Sequence, residues 1–355
     1  YSGGLLDALA AAGQSITLLT QNDGPRIPGL TVVAVPPSQF RPRPLGLASR
    51  WPASVWQAAC PVRQSRFRSL LGQQAWRAVV LDQAASGWAA PLADAAQIPL
   101  IYVAHNHEAS TRKAVATAEP SPLRRPILRH DARKYARLEQ ALVRQAALVT
   151  AITEADASLF AQQQPTAPAL TLPPGYAGPS VESRTLDHAT PRRIVLVGRF
   201  EWIAKQLNLT QWAEQAVPVL AAAGIETQVV GTVPDTLRAR VARAGLSFTG
   251  PVPSVAPYLA NARFGLVAED VGGGFKLKTL DYIFHRLPIA ALDGNLEGQP
   301  PGVLANTLTA STPRALAEAI IARIDDLERL NQMQQNAYGA AITAFDWADR
   351  AQRFL

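Results

Sequence analysis

Short apolar runs alternate along the chain with stretches whose apolar residues recur every three to four positions, and glycine or proline separates the two kinds. "SGGLLDALAAAGQSITLLTQ" predicts a small-residue turn, a helix over 5–12, a stop at Gly13 and a strand over 15–20. This is the α-then-β half of a unit whose first strand is expected to precede Tyr1. Met333 is the sole methionine, so Tyr1 is expected to follow a trimmed segment that would carry any targeting signal. "RAVVLD" (77–82), "PLIYVAHN" (99–106) and "ALVTAIT" (147–153) read as buried parallel strands, with a helix over 131–146 between the last two. The alternation predicts a doubly wound α/β domain.

From 162 to 191 the pattern dissolves into "QQQPTAPALTLPPGYAGPSVESRTLDHATP", which reads as an interdomain linker with room for one short strand at 169–172. Beyond it, "RRIVLVGRF", "IETQVVG", "LSFTG", "FGLVAED" and "LPIAALD" read as strands. "NLTQWAEQAVPVLAAAG", "DTLRARVARAG", "SVAPYLANA" and residues 276–286 read as the helices between them. The expected partition is a first domain over 1–175, a linker over 176–191, a second domain over 192–335 and a terminal segment over 336–355. A helix around 346–354 is expected to return to the first domain, so that its loss destabilises both domains.

Composition narrows the classes. The 355 residues leave room for two cores, and no charge-free apolar run is long enough to span a bilayer. Cys60 stands alone, so no intrachain disulfide is possible, and a reducing cytoplasmic setting is expected. The positive charge is local: residues 1–150 hold 17 Lys and Arg against 8 Asp and Glu, the remainder 17 against 19. Eight arginines (Arg26, Arg41, Arg43, Arg50, Arg63, Arg66, Arg68, Arg77) lie between Asp23 and Asp82 with no acidic residue among them, and a second cluster runs from Arg112 to Arg144. With Trp51, Trp56 and Trp76 nearby, such a surface would dock on anionic lipid or a phosphorylated acceptor. The alternative is a solvated arginine-rich face. A nucleic-acid partner is disfavoured because aromatic stacking motifs are not interleaved.

Loops that follow strands in an open α/β sheet carry its ligands, and three draw attention. "VAEDVGGGFKLKTLDY" (267–282) joins Glu269 and Asp270 to Gly272, Gly273 and Gly274, then to Lys276, Lys278 and Asp281. Glycines let the backbone close on a ligand, and lysines at the start of a helix oppose its dipole unless an anion offsets them, so the pattern suits a phosphate. Asp281, one turn on, is in reach of a sugar hydroxyl. "VGRFEWIAKQLNL" (197–209) offers Arg199 and Lys205 as a clamp for a diphosphate. "YVAHNHEASTR" (102–112) crowds His105, Asn106, His107, Glu108 and Arg112 at a strand tip, where His105 is the candidate for acid/base or hydrogen-bonding chemistry and His107 and Glu108 can equally cap the next helix. Each of the three loops also reads as an ordinary surface turn. The five histidines show no hydrolase spacing, so no metal site is expected, and neither a P-loop nor a G-x-S-x-G elbow is present.

Taken in order, "SGG" with "LAAAGQSITLLT", "AHNHE", "VTAITEAD", "VGRFEWIAKQLNL", "LSFTGPVPSVAPYLANARFGLVAE", "GGGFKLKTLDYIFHRLPIAA" and "AFDWADRAQRFL" resemble bacterial glycosyltransferases of the GT-B fold, in particular family GT4 enzymes of exopolysaccharide and surface-glycan synthesis. The resemblance covers nearly the whole length. It implies two Rossmann-like doubly wound domains facing across a cleft, the first binding a glycan or lipid-linked acceptor and the second a nucleotide-sugar. Arg199 and Lys205, with Gly272, Gly273, Gly274 and Lys276, would then hold the donor diphosphate. Asp281 stands where the family carries a ribose-binding glutamate, and His105 would approach the transferred sugar. Gly3, Gly4, Asn106, Glu108 and Arg112 would lie on the acceptor side. The resemblance further implies metal-independent transfer with retention, no cofactor beyond the donor, domain closure during the reaction, and a cytoplasmic enzyme, peripheral on the inner membrane face.

One departure matters. The family's E-x7-E pattern would put its first glutamate at Gly273, so a sugar-binding carboxylate is either absent or supplied by Glu269 or Asp270. Two other readings share the architecture: a sugar-nucleotide 2-epimerase using His105, Glu108, Glu269 and Asp270, and a degenerate module that binds a glycan or a partner transferase without catalysis.

Overall fold

The computed structural model describes residues 1–163, 168–271 and 274–355, with Arg43 described in its backbone alone. The chain divides into two compact units, one formed by Tyr1–Gly175 with Trp347–Leu355 and the other by Tyr176–Asp346. Each is an α/β unit built on parallel strands.

In the first unit, β1 (Ile16–Thr20) and β2 (Leu30–Ala34) pair in parallel as a small sheet. β3 (Val79–Asp82), β4 (Leu100–Ala104), β5 (Leu148–Ala151) and β6 (Ala169–Thr171) form a second parallel sheet in that order. Its core packs Tyr102 and Val149 from the strands against Trp88, Leu142 and Phe160 from the flanking helices. β6 pairs with β5 and belongs to this sheet, so the low-complexity stretch read as linker from 162 begins inside the first unit. The helix before β5 runs Arg124–Gln145, seven residues longer at its start than the pattern indicated. Pro126 falls in its first turn, where proline is tolerated because its missing N–H has no helical partner to lose.

Two further helices, far apart in sequence, belong to this unit. Ser2–Ala11 and Trp347–Phe354 bury Leu5, Leu9, Ala351 and Phe354 against Val103 and Leu172. Arg350 Nε donates to the Pro173 carbonyl at 2.9 Å, and Arg353 Nη2 to that of Thr171 at 2.7 Å. The Trp347 indole fills the space at Gly4 and Gly175: a Cβ on either would come within 2.2 Å and 2.5 Å of the ring, so any larger residue there displaces it.

The second unit holds a six-stranded parallel sheet. In sequence its strands are β7 (Arg193–Val197), β8 (Glu226–Val230), β9 (Leu246–Phe248), β10 (Phe264–Val267), β11 (Ile289–Leu292) and β12 (Thr307–Ala310); in space they run β12-β11-β10-β7-β8-β9. Trp212, Leu220, Phe264, Leu266 and Ile320 are fully buried in the core around it. The single helix read through Pro218 is two, Ile203–Gln215 and Val217–Ala222, because the proline begins a new first turn. β2 and β12 had escaped the apolar-run reading: both are half-exposed and lack the continuous hydrophobicity of the central strands.

Candidate active site

Strand order decides where the second unit binds a ligand. The winding reverses between β7 and β10, which are hydrogen-bonded neighbours, so the loops leaving their C-terminal ends open the crevice characteristic of doubly wound sheets. The loop after β7 leads to Lys205, and the loop after β10 carries Glu269, Gly274, Lys276 and, at the start of the helix Lys278–Phe284, Lys278.

These side chains meet. Lys278 Nζ donates to Glu269 Oε1 at 2.6 Å, Lys205 Nζ lies 3.8 Å from the same oxygen, and Lys276 Nζ lies 3.4 Å from Oε2. Two buried asparagines fix the loop behind the carboxylate. Asn295 accepts from the Glu269 amide at 2.8 Å and donates to its carbonyl at 3.0 Å; Asn208 accepts from the Val271 amide at 2.9 Å and donates to its carbonyl at 2.8 Å. Burial opposes the charge on Glu269, yet Lys278, Lys276 and Lys205 outweigh it and hold the carboxyl far below the usual range. Burial lowers Lys205 from its ordinary value; Glu269 pulls it up, while Lys278 and Lys276 push it further down. Three ammonium groups sharing one carboxylate make a pocket that favours an added anion.

Beneath the β7 loop, Gly231 adopts φ +122°, and a Cβ there would stand 2.1 Å from the Gly198 carbonyl oxygen. The Gly198 amide donates to Val230 O at 3.0 Å and that of Phe200 to Thr232 O at 2.8 Å, so the loops after β7 and β8 lie backbone to backbone.

Other residues singled out in the sequence fall elsewhere. The Arg199 side chain is 78% exposed and pairs with Glu201 at 3.2 Å. Asp270 accepts from Gln211 at 3.3 Å. Asp281 is half-buried and accepts from the Tyr176 hydroxyl at 3.3 Å; burial raises its pKa, with His285 and Tyr176 acting against the rise. Tyr176 in turn stacks on Phe284 with ring centroids 4.1 Å apart. Gly274 sits at φ +76° in this loop, and Gly272 and Gly273 lie outside the described residues.

In the first unit the tips of β3 and β4 bring Asp82, Gln83 and His105 together. His105 Nε2 lies 2.8 Å from Asp82 Oδ1, and Nδ1 lies 3.0 Å from the Gln83 amide nitrogen. A carboxylate only accepts and an amide NH₂ only donates, so Nε2 carries the proton and Nδ1 the lone pair. Burial works against the Asp82 charge, but the hydrogen bond from His105 leads the effects that prevail over it and hold its pKa below the ordinary carboxylate value. Gln83 sits at φ +67°, strain of the kind found where side-chain placement matters.

Next to His105, the helix Glu108–Ala118 is capped by His107, whose Nδ1 accepts from the Ser110 amide at 3.3 Å. Glu108 and Arg112 pair with each other at 2.7 Å, and the Arg112 guanidinium lies over the Tyr135 ring. Asn106 is half-buried at the turn, Gly4 is occupied by Trp347, and a Cβ on Gly3 would meet nothing within 4 Å.

Beneath this turn lies a residue that sequence reasoning missed. Glu139, 0% exposed, accepts from the Glu108 and Ala109 amides at 2.9 Å each and from the Tyr102 hydroxyl at 3.2 Å. Burial raises its pKa to about 7 against the pull of those hydrogen bonds. A raised folded-state value means that the folded chain keeps its proton where the unfolded chain has lost it. The contribution is therefore full below about pH 4.5 and lost as pH rises through about 7, a swing of roughly 3 kcal/mol. Denaturant titrations of the protein and of Glu139→Gln across that range should show a downward slope in the former that is reduced in the latter; equal slopes would contradict this account.

Comparison with known structures agrees with the fold. HepE from Anabaena, solved with UDP and glucose, superposes with a TM-score of 0.64 at 15% identity, over 99% of this chain and 94% of that one. WaaG, a glycosyltransferase involved in lipopolysaccharide biosynthesis, superposes at 0.66 with 16% identity over 99% and 93%. The α,α-trehalose 6-phosphate synthase of Burkholderia multivorans gives 0.65 and 11% over 99% and 92%. At such identities the likeness is one of fold, and that fold is GT-B: two Rossmann-like α/β units.

Family models carry the assignment further. Residues 1–175 match the glycosyl transferase 4-like domain and residues 191–326 the glycosyl transferases group 1 family, and the chain belongs to these GT4-type glycosyltransferases. No curated protein matches it by sequence.

Proposed function

We propose that the protein transfers a sugar from a nucleoside-diphosphate sugar to a glycan or lipid-linked acceptor, with retention, without a metal ion and without any cofactor beyond the donor. The observation that carries this reading is the convergence of Lys205, Lys276 and Lys278 at the switch point of the second unit. In the transfer, the bond from the anomeric carbon to the diphosphate oxygen breaks, a bond to an acceptor hydroxyl forms, and the hydroxyl proton offsets charge on the departing diphosphate. Preorganised cations stabilise that developing charge best where water is scarce, and here they are half-buried to buried. The UDP held by HepE supports a nucleotide donor. Asp281, one turn beyond Lys278, is the candidate ligand for the ribose hydroxyls, and His105, oriented by Asp82 and Gln83, for the sugar.

Thermal-shift titration with UDP, GDP, ADP and CMP, with and without EDTA, tests the donor reading. Stabilisation by one diphosphate that persists in EDTA and is lost in Lys205→Ala is expected. No shift from any nucleotide would move the chain to a binding module, and transfer abolished by EDTA would overturn metal independence.

The acceptor side is read as facing anionic lipid at the inner membrane surface. No described helix is long and apolar enough to cross a membrane. The first unit instead presents Leu45, 62% exposed, and Leu123, 80% exposed, among its arginines, with Arg41 stacked over Trp56 and Arg50 over Trp51. In liposome flotation the protein should rise with anionic vesicles at low salt and stay behind with neutral ones; equal flotation would remove the lipid-docking reading.

A further inference from the structure

We infer that Glu269 is the counter-ion that sets the charge of the phosphate cradle, and with it the rate at which the nucleoside diphosphate leaves, and that it does not bind the donor sugar. The inference rests on the donor reading above and concerns how the same site discharges its product.

Both carboxylate oxygens are committed. Oε1 takes Lys278 and lies near Lys205, Oε2 faces Lys276, and the side chain is 11% exposed. The backbone on either side of it is held by Asn295 and Asn208. For Glu269 to turn toward a sugar, it would have to abandon three cations and leave them repelling one another in a half-buried space.

Its chemical use follows from the change in charge during the reaction. A sugar diphosphate carries one negative charge fewer than the free diphosphate produced from it near neutral pH. A cradle of lysines alone would hold the product more tightly than the substrate and turn over slowly, since product release limits many transferases and hydrolases alike. Glu269 competes with the phosphates for the same ammonium groups and so weakens the hold on the more highly charged species most. It is a positioning residue in this sense: it acts on the phosphates through the lysines.

Glu269→Gln removes one negative charge and keeps the shape. The expected result by calorimetry is tighter binding of whichever of UDP, GDP or ADP binds, by about tenfold, with a steeper salt dependence. Turnover should fall while KM for the sugar donor does not rise. A sugar-binding carboxylate predicts the reverse, a raised KM with unchanged diphosphate affinity, and a merely structural residue predicts weaker binding of both; either result overturns the inference.

Inorganic pyrophosphate, titrated by thermal shift, separates this inference from the donor reading. If no nucleotide binds but pyrophosphate stabilises E269Q more than the native protein, the charge role stands and the donor reading falls. If nucleotides bind and E269Q leaves their affinity unchanged, the donor reading stands and the charge role falls. Glu269→Asp, which keeps the charge on a shorter arm, serves if E269Q does not fold: a smaller tightening in the same direction is expected, and none would sink the proposal.

Discussion

Lys278→Ala is expected to lower kcat/KM by about 10²- to 10³-fold, the scale seen when one preorganised donor to a developing oxyanion is removed. Lys278 makes the shortest contact of the cluster, 2.6 Å to Glu269, and is as buried as the carboxylate it meets. Water therefore screens it little, and its charge reaches a bound phosphate at close to full strength. The same change leaves Glu269 with the more distant Lys205 and Lys276, so a lower melting temperature should accompany the loss of activity. Arg199→Ala provides the contrast: an exposed side chain paired with Glu201 in solvent should cost less than tenfold. Steady-state kinetics on both variants at fixed ionic strength checks the pair. Equal losses would return Arg199 to the position that family resemblance gave it.

Gly231→Ala should destabilise the second unit by roughly 3 kcal/mol or more, from two additive causes. An L side chain at φ +122° is strained, at about 1 to 3 kcal/mol, and its Cβ would overlap a backbone oxygen that no rotamer change can move. That oxygen belongs to Gly198, at the start of the loop leading to Lys205. Relief of the overlap pushes this loop outward, so weaker diphosphate binding should accompany the lower melting temperature. Calorimetric unfolding and nucleotide titration of the variant read both effects; an unchanged melting curve would show that the two loops separate without cost.

Most strands and their order of appearance were legible because buried parallel strands advertise themselves as short continuous apolar runs, as in "FGLVAED" and "LPIAALD"; the half-exposed β2 and β12 were not. Helix limits were less so, since Pro126 and Pro218 both open a helix in its first turn, where a proline in the sequence alone does not say whether it starts a helix or interrupts one. At the site, Lys205 and Lys276 were visible as cations after strands, and Lys278 as a lysine at a helix start. What a single sequence does not carry is which side chain a cation faces. Arg199 and Lys205 are six residues apart, one in the loop after β7 and the other in the first turn of the helix it enters, and the fold turns one outward to Glu201 and the other inward to Glu269. Glu139 was invisible for the same reason: its partners are backbone amides about thirty residues away. Asp82 alone left a usable signal, as a carboxylate closing a buried strand.

The first unit draws its last helix from residues 347–354, after the whole of the second unit has been written into the chain. During synthesis, Leu5, Leu9 and Leu172 therefore wait for Ala351 and Phe354 while some 170 residues of the other unit are made. The second unit, continuous in sequence, has every strand it needs before the helix arrives. Order of synthesis and order of completion run opposite ways in this protein, and the closing helix is what lets the earlier half catch up.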